Sequence, residues 1–150
     1  MRIRSLMLML VPLALSACLG DSSTTSNNPL VPIESTTFAA SLGVNLAGST
    51  KTASGLYYRD ITLGTGATVV AGTTLNVKYS GALANGNVFD SGTYSFTIPG
   101  NVIQGWNEGL LGMKVGGSRQ LIIPPSLGYG ANGSGPIPPN AVLVFTVQPQ

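Results

Sequence analysis

One short stretch limits the folds open to this chain. Val102-Ile103-Gln104-Gly105-Trp106-Asn107-Glu108-Gly109-Leu110 contains the only tryptophan, and strand-like sequence lies on both sides of it. Trp106, Leu110 and Met113 fall at i, i+4 and i+7, which sets three large apolar groups on one helical face. Such a helix has to be short. Gly105 opens it, Gly112 closes it, and the β-branched Val102 and Ile103 read as an extended entry. An indole at the first turn, with apolar extended residues just before it, predicts the floor of a concavity between helix and sheet. Taken alone, Trp106 reads first as plain core, because most buried aromatic rings only pack.

The rest of the compact region has to be sheet. Twenty glycines and ten prolines, with many Thr and Val, favour short strands joined by tight turns over a helical bundle. Leu56 to Thr62 reads as a strand, and Leu75, Val77 and Tyr79 alternate with polar residues at the period of a half-buried strand. Asn85-Gly86 signals a turn before Val88-Phe89, and Tyr94, Phe96 and Ile98 alternate again. Pro99-Gly100 then turns the chain into the helix. Arg119 to Ile123 and Ala141 to Val147 supply the last strands, separated by a long loop rich in proline and glycine. Five strands and one short helix predict an α+β domain, with the helix packed on the concave face of a twisted antiparallel sheet.

The N-terminus reads differently. Arg2 and Arg4 form a positive n-region, and Leu6 to Leu15 form an apolar run too short to span a bilayer. It ends in Leu15-Ser16-Ala17-Cys18, which resembles the lipobox of bacterial lipoproteins and implies a signal peptide over 1–17 and lipidation of Cys18. Two or more acyl chains there would anchor the protein to a membrane of the cell envelope; Leu19 after the cysteine matches outer-membrane sorting in a Gram-negative cell. Residues 18–52 are expected to be the lipidated cysteine and a flexible tether, because Ser, Thr, Asn and Pro dominate its first half; Phe38 to Thr52 admits a loose helical turn or more linker. The compact domain is expected over 53–150.

Inventory excludes several chemistries. The chain has no histidine and one cysteine, so histidine triads, the usual zinc sites and intrachain disulfides are out. Without Arg2 and Arg4, five basic residues balance five acidic ones, and no basic cluster marks a nucleic-acid surface. Gly128-Tyr129-Gly130-Ala131-Asn132-Gly133 matches G-x-G-x-x-G, yet Pro136, Pro138 and Pro139 forbid the helix that would hold phosphates. That loop reads instead as a carrier of Tyr129 and Ile137.

Five ordered motifs carry a resemblance. They are Val77-Lys78-Tyr79-Ser80-Gly81, Asn85-Gly86-Asn87-Val88-Phe89-Asp90-Ser91, Val102 to Gly109, Gly128-Tyr129-Gly130, and Ile137 to Phe145. Together they resemble the FK506-binding type of peptidyl-prolyl cis-trans isomerase (FKBP) over residues 54 to 147. The resemblance implies a five- to six-stranded antiparallel half-barrel wrapped around one short helix. It also implies a pocket of Tyr79, Phe89, Asp90, Val102, Ile103, Trp106, Tyr129, Ile137 and Phe145, with Trp106 as floor, Phe89 and Phe145 as walls, and the Ile103 N–H and Tyr129 hydroxyl as donors to substrate carbonyls. Its partners would be proline-containing polypeptides, with FK506- or rapamycin-type macrolides as inhibitors, a membrane reached only through the lipid, and no cofactor, metal or nucleic acid; a monomer is expected. Only three residues separate Asp90 from Tyr94 where the family has a longer bulge, which leaves the register of Tyr94 and Phe96 open. Tyr94 is therefore placed at the margin of the site and Phe96 outside it. Pro136 stands where a second aliphatic residue is common, which bears on pocket width.

Overall fold

The computed structural model describes residues 28–150. Six strands, β1 (Thr50–Lys51), β2 (Tyr57–Thr62), β3 (Thr74–Leu83), β4 (Val88–Thr97), β5 (Ser118–Ile123) and β6 (Leu143–Pro149), form one antiparallel sheet in the order β1-β2-β5-β6-β3-β4. The one α-helix among the described residues, α1 (Gln104–Gly109), lies across its concave face. This is the FKBP-like α+β half-barrel that the sequence predicts. The signal peptide expected over 1–17 and Cys18 lie outside the described residues.

Period-two alternation builds the concave core. Leu75 and Val77 of β3, Leu121 and Ile123 of β5, and Leu143, Phe145 and Val147 of β6 point to one face, where they meet Trp106, Leu110 and Met113. The predicted i, i+4, i+7 face is thus buried, although the helix itself ends at Gly109 and Leu110 is its C-cap. Gly105 does not open the helix but sits inside it. A Cβ there would come within 2.6 Å of Ile123, and one at Gly109 within 2.7 Å of Leu121, so this pair lets the helix backbone rest directly on β5. Arg119 closes the far end: its guanidinium grips Asp60 through two hydrogen bonds (2.6 and 3.0 Å), donates to the Gly109 and Leu111 carbonyls, and lies over the Tyr58 ring. The last carbonyls of a short helix are satisfied in this way.

Two points that the sequence leaves open or reads otherwise stand out. Val88-Phe89 and Tyr94 to Thr97 belong to a single ten-residue β4, paired with β3 from Thr74↔Thr97 to Ala82↔Val88 with one register shift beside Gly81, which fixes the register after Asp90. The second concerns the tether expected over 18–52. From Ile33 onward the chain packs on the convex face of the sheet, where Ile33 is buried and Phe38, Leu42, Val44 and Leu46 are half-buried against Tyr57, Ile122, Val142 and Val144. β1 then adds an edge to β2, so the folded unit begins well before residue 53. The physical reason lies in β5 and β6. Ile122, Val142 and Val144 alternate away from the helix, and without the strap they would be an open apolar surface. Polar contacts fix the strap: Glu34 accepts from Lys51 and from the Tyr57 hydroxyl (2.6 Å), Gln120 donates to the Leu42 carbonyl (2.7 Å), and Ala39 N–H to Ala84 O (2.8 Å).

Candidate active site

A cavity of about 230 Å³ opens between α1, β3, β4, β6 and the loop after β5. Its lining is Tyr79, Phe89, Asp90, Tyr94, Asn101, Val102, Ile103, Trp106, Tyr129 and Phe145. Eight of the nine predicted residues are therefore brought together. The ninth, Ile137, is buried among the concave core residues and does not line the cavity. A larger hollow of about 390 Å³ lies where the strap crosses the loops at 83–85 and 138–142, but it has neither an aromatic nor a charged side chain in its lining.

Each wall has a local cause. Trp106 reaches the floor because the glycine face of α1 lets the helix sit close to the sheet, and the ring is only 5% exposed. Phe145 stands edge-on to it, with centroids 5.5 Å apart at 84°, and Tyr79 likewise at 5.1 Å and 74°. Phe89 is edge-on to Phe145 at 5.5 Å. Both phenylalanines press on Gly81, where a Cβ would meet them at 2.5 and 2.8 Å. The register shift opposite this glycine, between Val88 and Asp90, allows Phe89 and Asp90 both to reach the cavity although they are neighbours in a strand.

Polar groups are few and placed at the rim. The Tyr79 hydroxyl donates to Asp90 Oδ2 at 2.7 Å, and this bond, with desolvation behind it, pushes the phenol up to about 12, so it stays protonated. Tyr129, 38% exposed, extends from the glycine-rich loop with its hydroxyl unbonded to any described residue. Ile103 is the N-cap of α1; its carbonyl accepts from Trp106 N–H, and no described residue accepts from its own N–H, as expected at a helix start. The indole N–H of Trp106 is buried and likewise lacks a nitrogen or oxygen partner.

One lining residue, Asn101, is not among those predicted, and two residues behind the lining support it. Phe96, placed outside the site from sequence, does not line the cavity but lies 5.9 Å from Trp106 and is stacked by Tyr94 at 5.9 Å, so it backs the aromatic wall. Tyr94 itself lines the cavity. The second is Asn107, buried beneath the entry to the helix: Oδ1 accepts from Gly100 N–H (2.8 Å), and Nδ2 donates to the Gly100 carbonyl (3.1 Å). It thereby clamps the segment that carries Val102 and Ile103. An asparagine in mid-helix, where propensity disfavours it, was the available signal.

Comparison with known proteins agrees with this geometry. The family model described as FKBP-type peptidyl-prolyl cis-trans isomerase matches residues 66–149. The chain is 47% identical over 100 residues to FK506-binding protein 4 of Dictyostelium discoideum, covering 63% of this chain and 28% of that protein. It is 46% identical over 101 residues to the FK506-binding protein of Neisseria meningitidis serogroup B, covering 63% of this chain and 93% of the relative. The crystal structure of FkpA from Escherichia coli superposes with a TM-score of 0.63 at 39% identity, covering 68% of this chain and 50% of that one. The chain spans under a third of the length of several of its curated relatives, and nearly all of the shorter one. With the match to the family model, the agreement of fold and the aromatic cavity in one place, this chain belongs to the FKBP-type peptidyl-prolyl cis-trans isomerase family.

Proposed function

We propose that this protein accelerates cis-trans rotation of X-Pro bonds in exported or envelope polypeptides. The observation that carries the reading is the ring set about Trp106, with Tyr79, Phe89, Phe96 and Phe145 around it, the indole N–H buried at the floor and the other donors at the rim. Amide rotation has a barrier of ~18–20 kcal/mol that comes from lost resonance. The planar amide is charge-separated and well hydrated, and the twisted one is less polar at oxygen. An apolar, close-fitting box favours the twisted amide over the planar one without nucleophile or metal. The proline ring would rest on Trp106, and the Ile103 N–H and Tyr129 hydroxyl would hold the flanking carbonyls. An acceleration of about 10⁴-fold requires ~5.5 kcal/mol of such differential binding. A protease-coupled assay with a proline tetrapeptide tests this; saturable binding without turnover would make the chain a proline-binding module instead.

The same proposal extends to place and inhibitor. Residues 1–18 support processing as a lipoprotein, with Cys18 holding the protein in the bacterial envelope as a lipid-anchored monomer. Cys18→Ser should move the protein from the membrane to the soluble fraction, and unchanged partition would overturn the anchor. A macrolide of the FK506 or rapamycin type should enter over Trp106 and change the emission of the only indole saturably; calorimetric binding with unchanged emission would put it elsewhere.

A further inference from the structure

β4 is the last strand of the sheet, and its outer side is open. Ser91, Gly92, Thr93, Tyr94 and Ser95 are all exposed, and none of the described residues hydrogen bonds to the main chain of Ser91, Thr93 or Ser95 on that side. The direction of these groups follows from the ladder. Ile98 N–H donates to Thr73 O, which marks that pair as hydrogen-bonded, and the register keeps alternate pairs so: Phe96 with Leu75, Tyr94 with Val77, Gly92 with Tyr79. Asn76, between them, turns its carbonyl to the other side and accepts from Gln150 N–H. On β4, therefore, the N–H and C=O groups of Ser91, Thr93 and Ser95 all point out of the sheet. Edge strands are usually blunted by lysine, proline or a bulge. Between Ser91 and Thr97 there is none of these, and no charge.

This open edge is continuous with the cavity. Asp90 and Tyr94 of the same strand line it, and Phe96 backs its floor. Because Asp90 and Tyr94 line the cavity, a polypeptide whose proline sits over Trp106 can run its flanking residues out along β4, and an extended chain presents the row of main-chain donors and acceptors that such an edge accepts whatever its side chains. We propose that the edge from Ser91 to Ser95 is a docking strand for the extended stretch flanking the bound proline. The proposal rests on the isomerase reading and adds a subsite to it: sequence-independent pairing that favours unfolded chains over short peptides.

Two comparisons test it on the full chain. First, peptides extended by about five residues on one or the other side of the same proline segment should show kcat/KM raised about tenfold on one side, consistent with a few added main-chain hydrogen bonds. Methylating alternate amide nitrogens in that extension should abolish the gain. Second, Thr93→Pro removes an outward N–H while leaving the ladder to β3 intact, since Thr93 does not bond inward. It should leave tetrapeptide turnover and melting temperature nearly unchanged and cancel the gain from extension. Equal rates for short and extended peptides, or a gain that survives methylation, would overturn the docking strand even if isomerase activity is present. Anisotropy of a labelled extended peptide, compared with its methylated form, reads the same difference without turnover, so an inactive protein would refute the isomerase reading and still decide the edge. A dimer in sedimentation that Thr93→Pro dissolves would assign the edge to a second copy and overturn the proposal.

Discussion

The hydroxyl of Tyr79 and the carboxylate of Asp90 meet at 2.7 Å across the β3–β4 ladder, on the rim of a cavity otherwise walled by rings. Their contact has a measurable signature at high pH. The phenol is raised from about 10 to about 12, so the folded protein holds its proton more tightly than the unfolded chain does. The stabilisation is complete below pH 10 and is lost as pH rises towards 12. Urea midpoints of the wild type and of Tyr79→Phe should differ by a constant amount up to about pH 9.5 and converge above it. A difference that already shrinks between pH 6 and 8 would contradict this assignment.

If the rate comes from an apolar, close-fitting box, the ring should matter more than the hydroxyl. Phe89→Ala opens one wall and should lower kcat/KM by about 100-fold with the fold intact. Tyr129→Phe keeps its ring and removes one hydrogen bond, for a loss of ~0.5–1.5 kcal/mol, about one decade or less. Asp90→Asn should fall between them. A larger loss for Tyr129→Phe than for Phe89→Ala would make hydrogen bonding the main source of rate.

Removal of residues before Thr52 should be destabilising, contrary to what a tether would allow. It uncovers Tyr57, Ile122, Val142 and Val144 and deletes the β1 edge. We expect the melting midpoint of a 52–150 chain to drop by more than ~5 °C, about 1 kcal/mol or more for a domain of this size. An unchanged midpoint would show that the strap contributes nothing.

The strap should also loosen in acid. Glu34 is held down at about 2 by its hydrogen bond to Lys51 first and to Tyr57 second. A lowered carboxylate stabilises the fold above its unfolded value near 4.5, and that contribution is lost as pH falls from there towards 2. The exposed position of the pair makes the effect small and sensitive to salt. Protection factors at Ile33 to Leu46, taken relative to the intrinsic amide rate at each pH, should fall over that window in the wild type, and Glu34→Gln should show the lower protection already at pH 6. Identical exchange in both proteins would remove Glu34 as the clasp.

Much of this was legible in the chain. The alternation of Leu75, Val77 and Tyr79 and the spacing of Trp106, Leu110 and Met113 report directly on burial, so the sheet, the helix and the cavity floor follow from them. Ile137 was misplaced because a loop residue carries no periodic signal of the side it faces. The support that Phe96 gives Trp106 from behind the lining is not legible, because its side of the sheet depends on the register after Asp90, and one residue of slip reverses it. The strap escaped because Ile33 and Phe38 are isolated among Ser and Thr, and the period-two run of Leu42, Val44 and Leu46 is only three residues deep and interrupted by Gly43 and Asn45. Its trace lay elsewhere. Leu121-Ile122-Ile123 has no polar face, which signals a strand covered on both sides.

The contact of Gly105 and Gly109 with β5 also divides the cavity into parts that can and cannot vary. Any side chain at either position would collide with Ile123 or Leu121, lift the helix and move Trp106 with it. The depth of the pocket therefore depends on glycine at both positions. Tyr94, Asn101 and Tyr129, exposed on β4 and two loops, carry no such constraint. Changes in preference for the residues around a proline can accumulate at that rim while the seat for the proline ring stays where it is.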